Sequence, residues 1–519
     1  MSSEKIRENF QQARWNEPII FEMSKPNIRG VKPPKADKEI IDSVGDVASE
    51  LPEGIRRKEA PGLPELSVKN VLSHYIRLSQ ETLGANLGND ISQGTCTMKY
   101  NPRVNEALAA EKKFSELHPL QDEDTVQGIL EIYYKFQNVV KEVSGLDKAS
   151  LQPGGGSHAV YAAACIVREY WEEKGEADTR DEIITTIFSH PADAAAPATA
   201  GFKMVTIYPD EETGLPDIEA LKAAVSERTA AIFMTNPEDL GIFNPKVDEF
   251  VDIVHDVGGL CFYDQANANA FLGVARAKEA GFDMCHFNVH KTFGTPHACS
   301  GPGTGALCVK EEFAKYLPAP IVEYDGEKYY LDYGNESSIG KVRDFAGVSG
   351  VVLKAYAWTM MMGAEGLRET ADVSVINNNY LEKKLLAIPG INSAYQDNGI
   401  IRQEQIRYTF EKLKEETGVG SDDMNARIID FGIPSFWQSH HPWLIPEPMT
   451  LEPCETYSKD DIDEYAAVLK RLSDEAYSDP EILKTAPHNS SSHRRNDMES
   501  LDDPEKWATT WAAYLKKHK

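Results

Sequence analysis

The 519-residue sequence contains no apolar run approaching the roughly 18 uninterrupted residues that span a bilayer, so helical membrane insertion is not expected. Its seven cysteines (Cys96, Cys165, Cys261, Cys285, Cys299, Cys308 and Cys454) are scattered, without a CxxC pair. That spacing argues against a disulfide framework or a zinc ribbon; reduced thiols are expected and no metal site is indicated. Positive charge is also in deficit. A formal net charge of −28 would repel phosphate backbones, so non-specific nucleic-acid binding is not expected. The opening residues Met1-Ser2-Ser3-Glu4-Lys5 are polar and lack the charged-then-apolar pattern of a secretory signal. The expectation is a cytoplasmic protein.

The length exceeds what one hydrophobic core usually organises, so two or three structural units are expected. Residues 1–104 read as a proline- and charge-rich arm followed by a helical segment in which Val68, Val71, Leu72, Tyr75 and Leu78 recur at helical spacing. Residues 105–345 alternate helical patterns with short apolar runs. Helices are predicted over 123–143, 157–171, 217–225 and 246–257, and strands over 182–188, 204–208, 229–234 and 260–263, with a short strand ending at Leu151-Gln152-Pro153. This alternation is the βαβ signature and predicts an α/β domain with a mostly parallel sheet. Residues 346–519 read as a smaller α+β domain with a polar tail. They include a long helix over 351–365, a strand over 406–410 and a helix over 459–476.

Four segments of the middle region carry possible chemistry. Leu151-Gln152-Pro153-Gly154-Gly155-Gly156-Ser157-His158 joins a strand to a helix, where glycines permit close approach and the helix start offers N–H groups to a phosphate. Ser157 is placed to cap that helix and donate to the phosphate; a plain tight turn is the alternative. Tyr263-Asp264-Gln265-Ala266 ends a buried strand, so Asp264 sits at the sheet edge where α/β proteins bind ligands, unless it only caps the next turn. Thr235-Asn236-Pro237 ends another strand, with Asn236 either a donor to a ligand or part of an Asn-Pro turn. Phe287-Asn288-Val289-His290-Lys291-Thr292-Phe293 sets a lysine in apolar surroundings, where desolvation favours the nucleophilic amine. The glycine loop from Ser300 to Gly305 follows it. In this order the segments match the needs of pyridoxal 5′-phosphate (PLP): a lysine for its aldehyde, N–H donors for its phosphate, a carboxylate for its pyridine nitrogen and a small Ala266 against its ring.

Further stretches widen the match: His74-Tyr75-Ile76-Arg77-Leu78-Ser79-Gln80, Cys96-Thr97-Met98-Lys99-Tyr100-Asn101-Pro102, Met362-Gly363-Ala364-Glu365-Gly366-Leu367-Arg368 and Leu483-Lys484-Thr485-Ala486-Pro487-His488. On these motifs the sequence resembles, over about residues 18–490, the decarboxylating glycine dehydrogenase family, the P-protein of the glycine cleavage system, in its separate C-terminal-half subunit. The resemblance implies a fold-type I PLP enzyme with Lys291 as the cofactor lysine, Asp264 as pyridinium partner and His158 stacked on the ring. Gly155, Gly156 and Ser157 fall in the phosphate loop, with Asn236, Ala266 and His290 also at the cofactor. The implied reaction is loss of CO2 from glycine and passage of the aminomethyl group to the lipoyl arm of an H-protein. The implied partners are a homologous subunit 1 in a heterotetramer, or a second copy of the chain. Lys99 and Arg343 are candidates to hold the substrate carboxylate. The chain departs from the family pattern at Gly155-Gly156-Ser157-His158-Ala159-Val160, at 89–95, at His190-Pro191-Ala192-Asp193-Ala194, at 298–301 and at Ser435-Phe436-Trp437-Gln438-Ser439-His440-His441. Two other readings therefore stand beside it: a paralogous PLP enzyme for another amino acid or amine, and a non-catalytic assembly subunit.

Overall fold

The computed structural model describes the chain except residues 1–5, 12, 60, 84–87, 90, 92–98, 297–301, 335, 397–398, 493, 495–509 and 518–519. Its Cα positions group into two units, Met1–Arg7 with Ala85–Ala486, and Glu8–Gly84 with Pro487–Lys519.

The large unit is organised on a seven-stranded sheet: β1 (Lys148–Ser150), β2 (Glu182–Thr186), β3 (Lys203–Ile207), β4 (Thr229–Thr235), β5 (Leu260–Asp264), β6 (Met284–Asn288) and β7 (Gly305–Val309). The strand order is β1-β7-β6-β5-β4-β2-β3, and β3, β2, β4, β5 and β6 are parallel neighbours. Only β7 is reversed, against β6 on one side and β1 on the other, so β1 runs the same way as the other five. The chain leaves six of seven strands at one edge, and that edge carries the chemistry. β5, β6 and β7 are buried at every residue, as strands covered on both faces must be, which is why they read as continuous apolar runs rather than as alternations. The helices Gln127–Ser144, Gly156–Lys174, Ile218–Ala224 and Val247–Asp256 lie where the sequence pattern put them, within a few residues at each end. The short helix Ala192–Thr199 was not anticipated; its alanines and Pro197 gave no periodic signal.

A two-stranded ribbon, β8 (Ile321–Tyr324) and β9 (Tyr329–Asp332), follows. The helix expected over 351–365 ends close to its predicted limit: Ser349–Leu385 consists of two helical segments that meet at a break at Gly363, where φ is 65° and ψ is 179°. Beyond it β10 (Asn392–Ser393), β11 (Ile406–Thr409) and β12 (Pro448–Leu451) form an antiparallel sheet covered by Lys459–Ser478, and Ile406, Tyr408, Met449, Tyr465 and Leu469 share one core there. The α+β character expected after residue 346 is present in this sheet. Among the described residues no helix is long and apolar enough to cross a membrane.

The second unit has little regular structure before the helix Val68–Gln80, whose first turn is capped by Ser67 accepting from the Asn70 amide. Glu17 fixes the approach to that helix through His74 Nδ1 at 2.7 Å and a bidentate contact with Arg77.

Candidate active site

β5 ends on Asp264 and β6 leads into a single helical turn, Val289–Thr292, that carries Lys291. Both side chains are buried, at 2% and 6% exposure, yet they face a common cavity of about 330 Å³. Gly156, Ser157, Ala266 and His290 line it with them, as the sequence pattern anticipated. So do His190, Asn288, Trp437 and His440, to which sequence reasoning gave no role. His190, Trp437 and His440 stood only within the segments noted as departures from the family pattern.

Charge in the cavity floor is held by a buried network. Asp264 Oδ1 accepts from the Ala266 amide at 2.8 Å and lies 2.9 Å from His286 Nε2, near enough for an ion pair although off the line of a good hydrogen bond. Burial alone would raise the Asp264 carboxyl; the charges of His286 and His190 outweigh it and hold the group below the usual carboxylate range. Asp193, on the unanticipated helix, accepts from Thr235 Oγ1 at 2.9 Å, and its Oδ1 is buried without a partner. Burial, reinforced by the charge on Asp264, pushes Asp193 well above its ordinary value. One negative charge therefore sits on this carboxyl pair, on Asp264. Burial also lowers His190, assisted by Lys291. Glu404 lines the adjoining small cavity with Lys291: burial and the charge of Glu452 push it up to about 8, although Lys291 pulls it down.

The remaining anticipated residues are placed as follows. The helix begins at Gly156 with Gly155 as its cap; Ser157 is exposed in the first turn and makes no capping hydrogen bond, so the expected cap is corrected to glycine. His158 Nδ1 accepts from the Gly154 amide at 3.1 Å, and the ring is half-buried. Arg343 presses on the same loop so closely that a Cβ on Gly154 would collide with its guanidinium. Among the described residues Arg343 has no carboxylate partner. Asn236 accepts from the Asn244 amide at 2.8 Å through Oδ1 and lines the small adjoining cavity. Lys99 is buried in contact with both oxygens of Glu455, at 2.8 and 2.9 Å, with its ammonium over Trp358. The start of the Ser300 glycine loop, the CTM of the CTMKYNP stretch and the departures at 92–95 and 298–301 lie outside the described residues.

These residues fit the expected cofactor. A Cβ on Gly156 would stand 2.7 Å from Asn288 Nδ2, so only glycine keeps that corner open. Asn288 Oδ1 is buried with no partner, an acceptor held ready at the cavity wall. An ionised aspartate, a buried lysine and a helix N-terminus converge on the same space.

The aminotransferase class-V family matches residues 154–416, and the glycine dehydrogenase C-terminal domain matches residues 370–489. The fold and site thus define a PLP-dependent enzyme of fold type I, with pyridoxal phosphate as cofactor. The probable glycine dehydrogenase (decarboxylating) subunit 2 of Pyrococcus horikoshii is 42% identical over 509 residues, covering 97% of this chain and 98% of that one. The protein of the same description from Caldanaerobacter subterraneus subsp. tengcongensis is 38% identical over 94% of this chain and 97% of its own. The chain belongs to the glycine dehydrogenase (decarboxylating) subunit 2 family. Among solved structures, an inhibitor-bound glycine decarboxylase (P-protein) of the glycine cleavage system superposes with a TM-score of 0.70 at 20% identity, over 85% of this chain and 99% of that one. The cysteine desulfurase CsdA of Escherichia coli gives 0.57 at 16% identity, over 76% and 96%, and shares the fold.

Proposed function

We propose that the chain is the cofactor-bearing subunit of a glycine decarboxylase, acting in the cytoplasm, which releases CO2 from glycine and hands the aminomethyl group to the lipoyl arm of an H-protein, in assembly with a homologous subunit 1. The observation that carries this reading is the convergence of Lys291 and Asp264 on one cavity in a chain 42% identical, nearly end to end, to a subunit of that description.

When bound, PLP supplies an electron sink for the pair of electrons left by departing CO2. The chain's own residues prepare that step. Asp264, kept ionised by His286 and His190, holds a proton on the pyridine nitrogen. Asp193, being neutral, leaves Asp264 its charge and adds no second one. Lys291 supplies the amine that anchors the cofactor, and Gly155, Gly156 and Ser157 present the helix start to its phosphate. Arg343 is the cation we assign to the substrate carboxylate, because Lys99 is already engaged by Glu455.

Exchange of labelled bicarbonate into the carboxyl carbon of glycine, with lipoylated H-protein present, tests the function. The reading requires exchange that depends on both proteins; a preparation loaded with cofactor that exchanges nothing, with or without subunit 1, refutes it.

A further inference from the structure

His440 enters the cavity from the loop that precedes β12, and it does not stand there alone. Its Nδ1 lies 2.9 Å from Asp239 Oδ2, and Asp239 is 2% exposed. The same oxygen receives Arg407 Nη2 at 3.2 Å, and the Arg407 side chain is fully buried. The flanking residues Ser439 and His441 both have positive φ, 70° and 55°, a conformation that non-glycine residues hold only when their surroundings impose it. The ring of His190 meets that of His440 edge-on at 5.7 Å, and the rings of Trp437 and His441 flank it at 5.4 and 6.1 Å. Asp264 and Lys291 share the cavity with it.

Proton positions follow from this arrangement. Burial favours the neutral form of Asp239, but the His440 hydrogen bond and the Arg407 charge outweigh it, so the group is ionised and only accepts. His440 must then donate from Nδ1. Because Arg407 already compensates the carboxylate, His440 need not be cationic to make that bond. The neutral ring carries its lone pair on Nε2, which makes no hydrogen bond among the described residues. A base oriented by a buried carboxylate through its other ring nitrogen is a recurrent device for proton abstraction.

We infer that His440 is a catalytic base of this site, held by Asp239 and Arg407, which takes a proton from the ammonium group of the incoming amino-acid substrate. In that step one N–H bond of the substrate ammonium breaks, the proton moves to His440 Nε2, and the electron pair stays on the substrate nitrogen, which becomes the nucleophile. His440 leaves as the imidazolium, stabilised by Asp239, and returns its proton to solvent through the partly exposed side chain. This rests on the proposal that glycine is the substrate.

Two variants separate the role from a merely structural contact. His440→Asn keeps a donor toward Asp239 but has no second ring nitrogen. The expected result is that kcat/KM for glycine in the cofactor-loaded protein falls at neutral pH and climbs about tenfold per pH unit, since only free amine then reacts, whereas the parent protein is flat above the titration of its base. An unchanged profile in His440→Asn overturns the inference. Independently of turnover, imidazole 15N spectra of the holoprotein should show the His440 proton on Nδ1 with Nε2 bare, and Asp239→Asn should abolish that preference. A proton on Nε2 in the parent overturns the inference even if glycine proves not to be the substrate. Absence of glycine turnover in the parent, with Nε2 bare, refutes the proposed function and leaves the base assignment standing.

Discussion

Lys291 and Asp264 place opposite demands on the same cavity: the lysine must be usable as an amine, the aspartate must stay charged. Burial opposes the second, and His286 and His190 restore the balance for Asp264. Asp264→Asn should leave the fold intact while slowing CO2 release by orders of magnitude, read as single-turnover decarboxylation, because the pyridine nitrogen loses its counter-charge. Asp193→Asn is expected to change turnover little, since Asp193 is already neutral and the amide retains a donor. Arg343→Ala should raise KM for glycine roughly 10- to 100-fold, the equivalent of losing a charge-assisted hydrogen bond worth about 1.5–3 kcal/mol; an unchanged KM would remove Arg343 from the substrate site. Lys291, Asp264 and the glycine loop were legible because each sits at a punctuation point, a strand end or a helix start. Asp193, Asp239, Arg407 and His440 were not, since their meaning lies in contacts between segments as far as 201 residues apart in sequence.

At the scale of elements, the parallel strands were readable because their runs are apolar throughout, while β7 shows how local pattern fails to report direction: nothing in Gly305-Ala306-Leu307-Cys308-Val309 says that it runs against its neighbours. The helix over Ser349–Leu385 makes the complementary point. The helix expected over 351–365 ends within three residues of the break at Gly363, and what the pattern did not report is the second segment that runs on to Leu385. No atom lies within 4 Å of a Cβ built there, so Gly363→Ala meets no steric obstacle and any loss is conformational. We expect a destabilisation of about 1–3 kcal/mol in urea unfolding, the usual strain of a non-glycine residue in that region. A variant as stable as the parent would mean that the two helical segments merge without penalty.

For the whole molecule, buried acids held above their ordinary range, Asp193 with Glu238 and Glu404, make stability depend on pH. Glu238 and Glu404 are both pushed up to about 8, in each case first by burial, against an ordinary value of 4.5. Between these limits the folded chain retains protons that the unfolded chain has released, so folding stability falls as pH rises from about 4.5 to 8. Each group contributes a slope of up to about 1.4 kcal/mol per pH unit. The urea midpoint of the cofactor-free protein should therefore decline across that window, and the double variant Glu238→Gln with Glu404→Gln should make the decline shallower, leaving the part due to Asp193. The depressed carboxylates, Asp239 and Asp264, act only at lower pH, losing their stabilising charge as pH falls below about 3.8.

The claim on which all of this depends is that one buried amine, Lys291, bonds covalently to the cofactor. Reduction of the loaded protein with borohydride, digestion and mass spectrometry read that bond directly. The account predicts the phosphopyridoxyl mass on the peptide containing His290-Lys291-Thr292, lost in Lys291→Ala; the adduct on any other lysine, or on none, would contradict it.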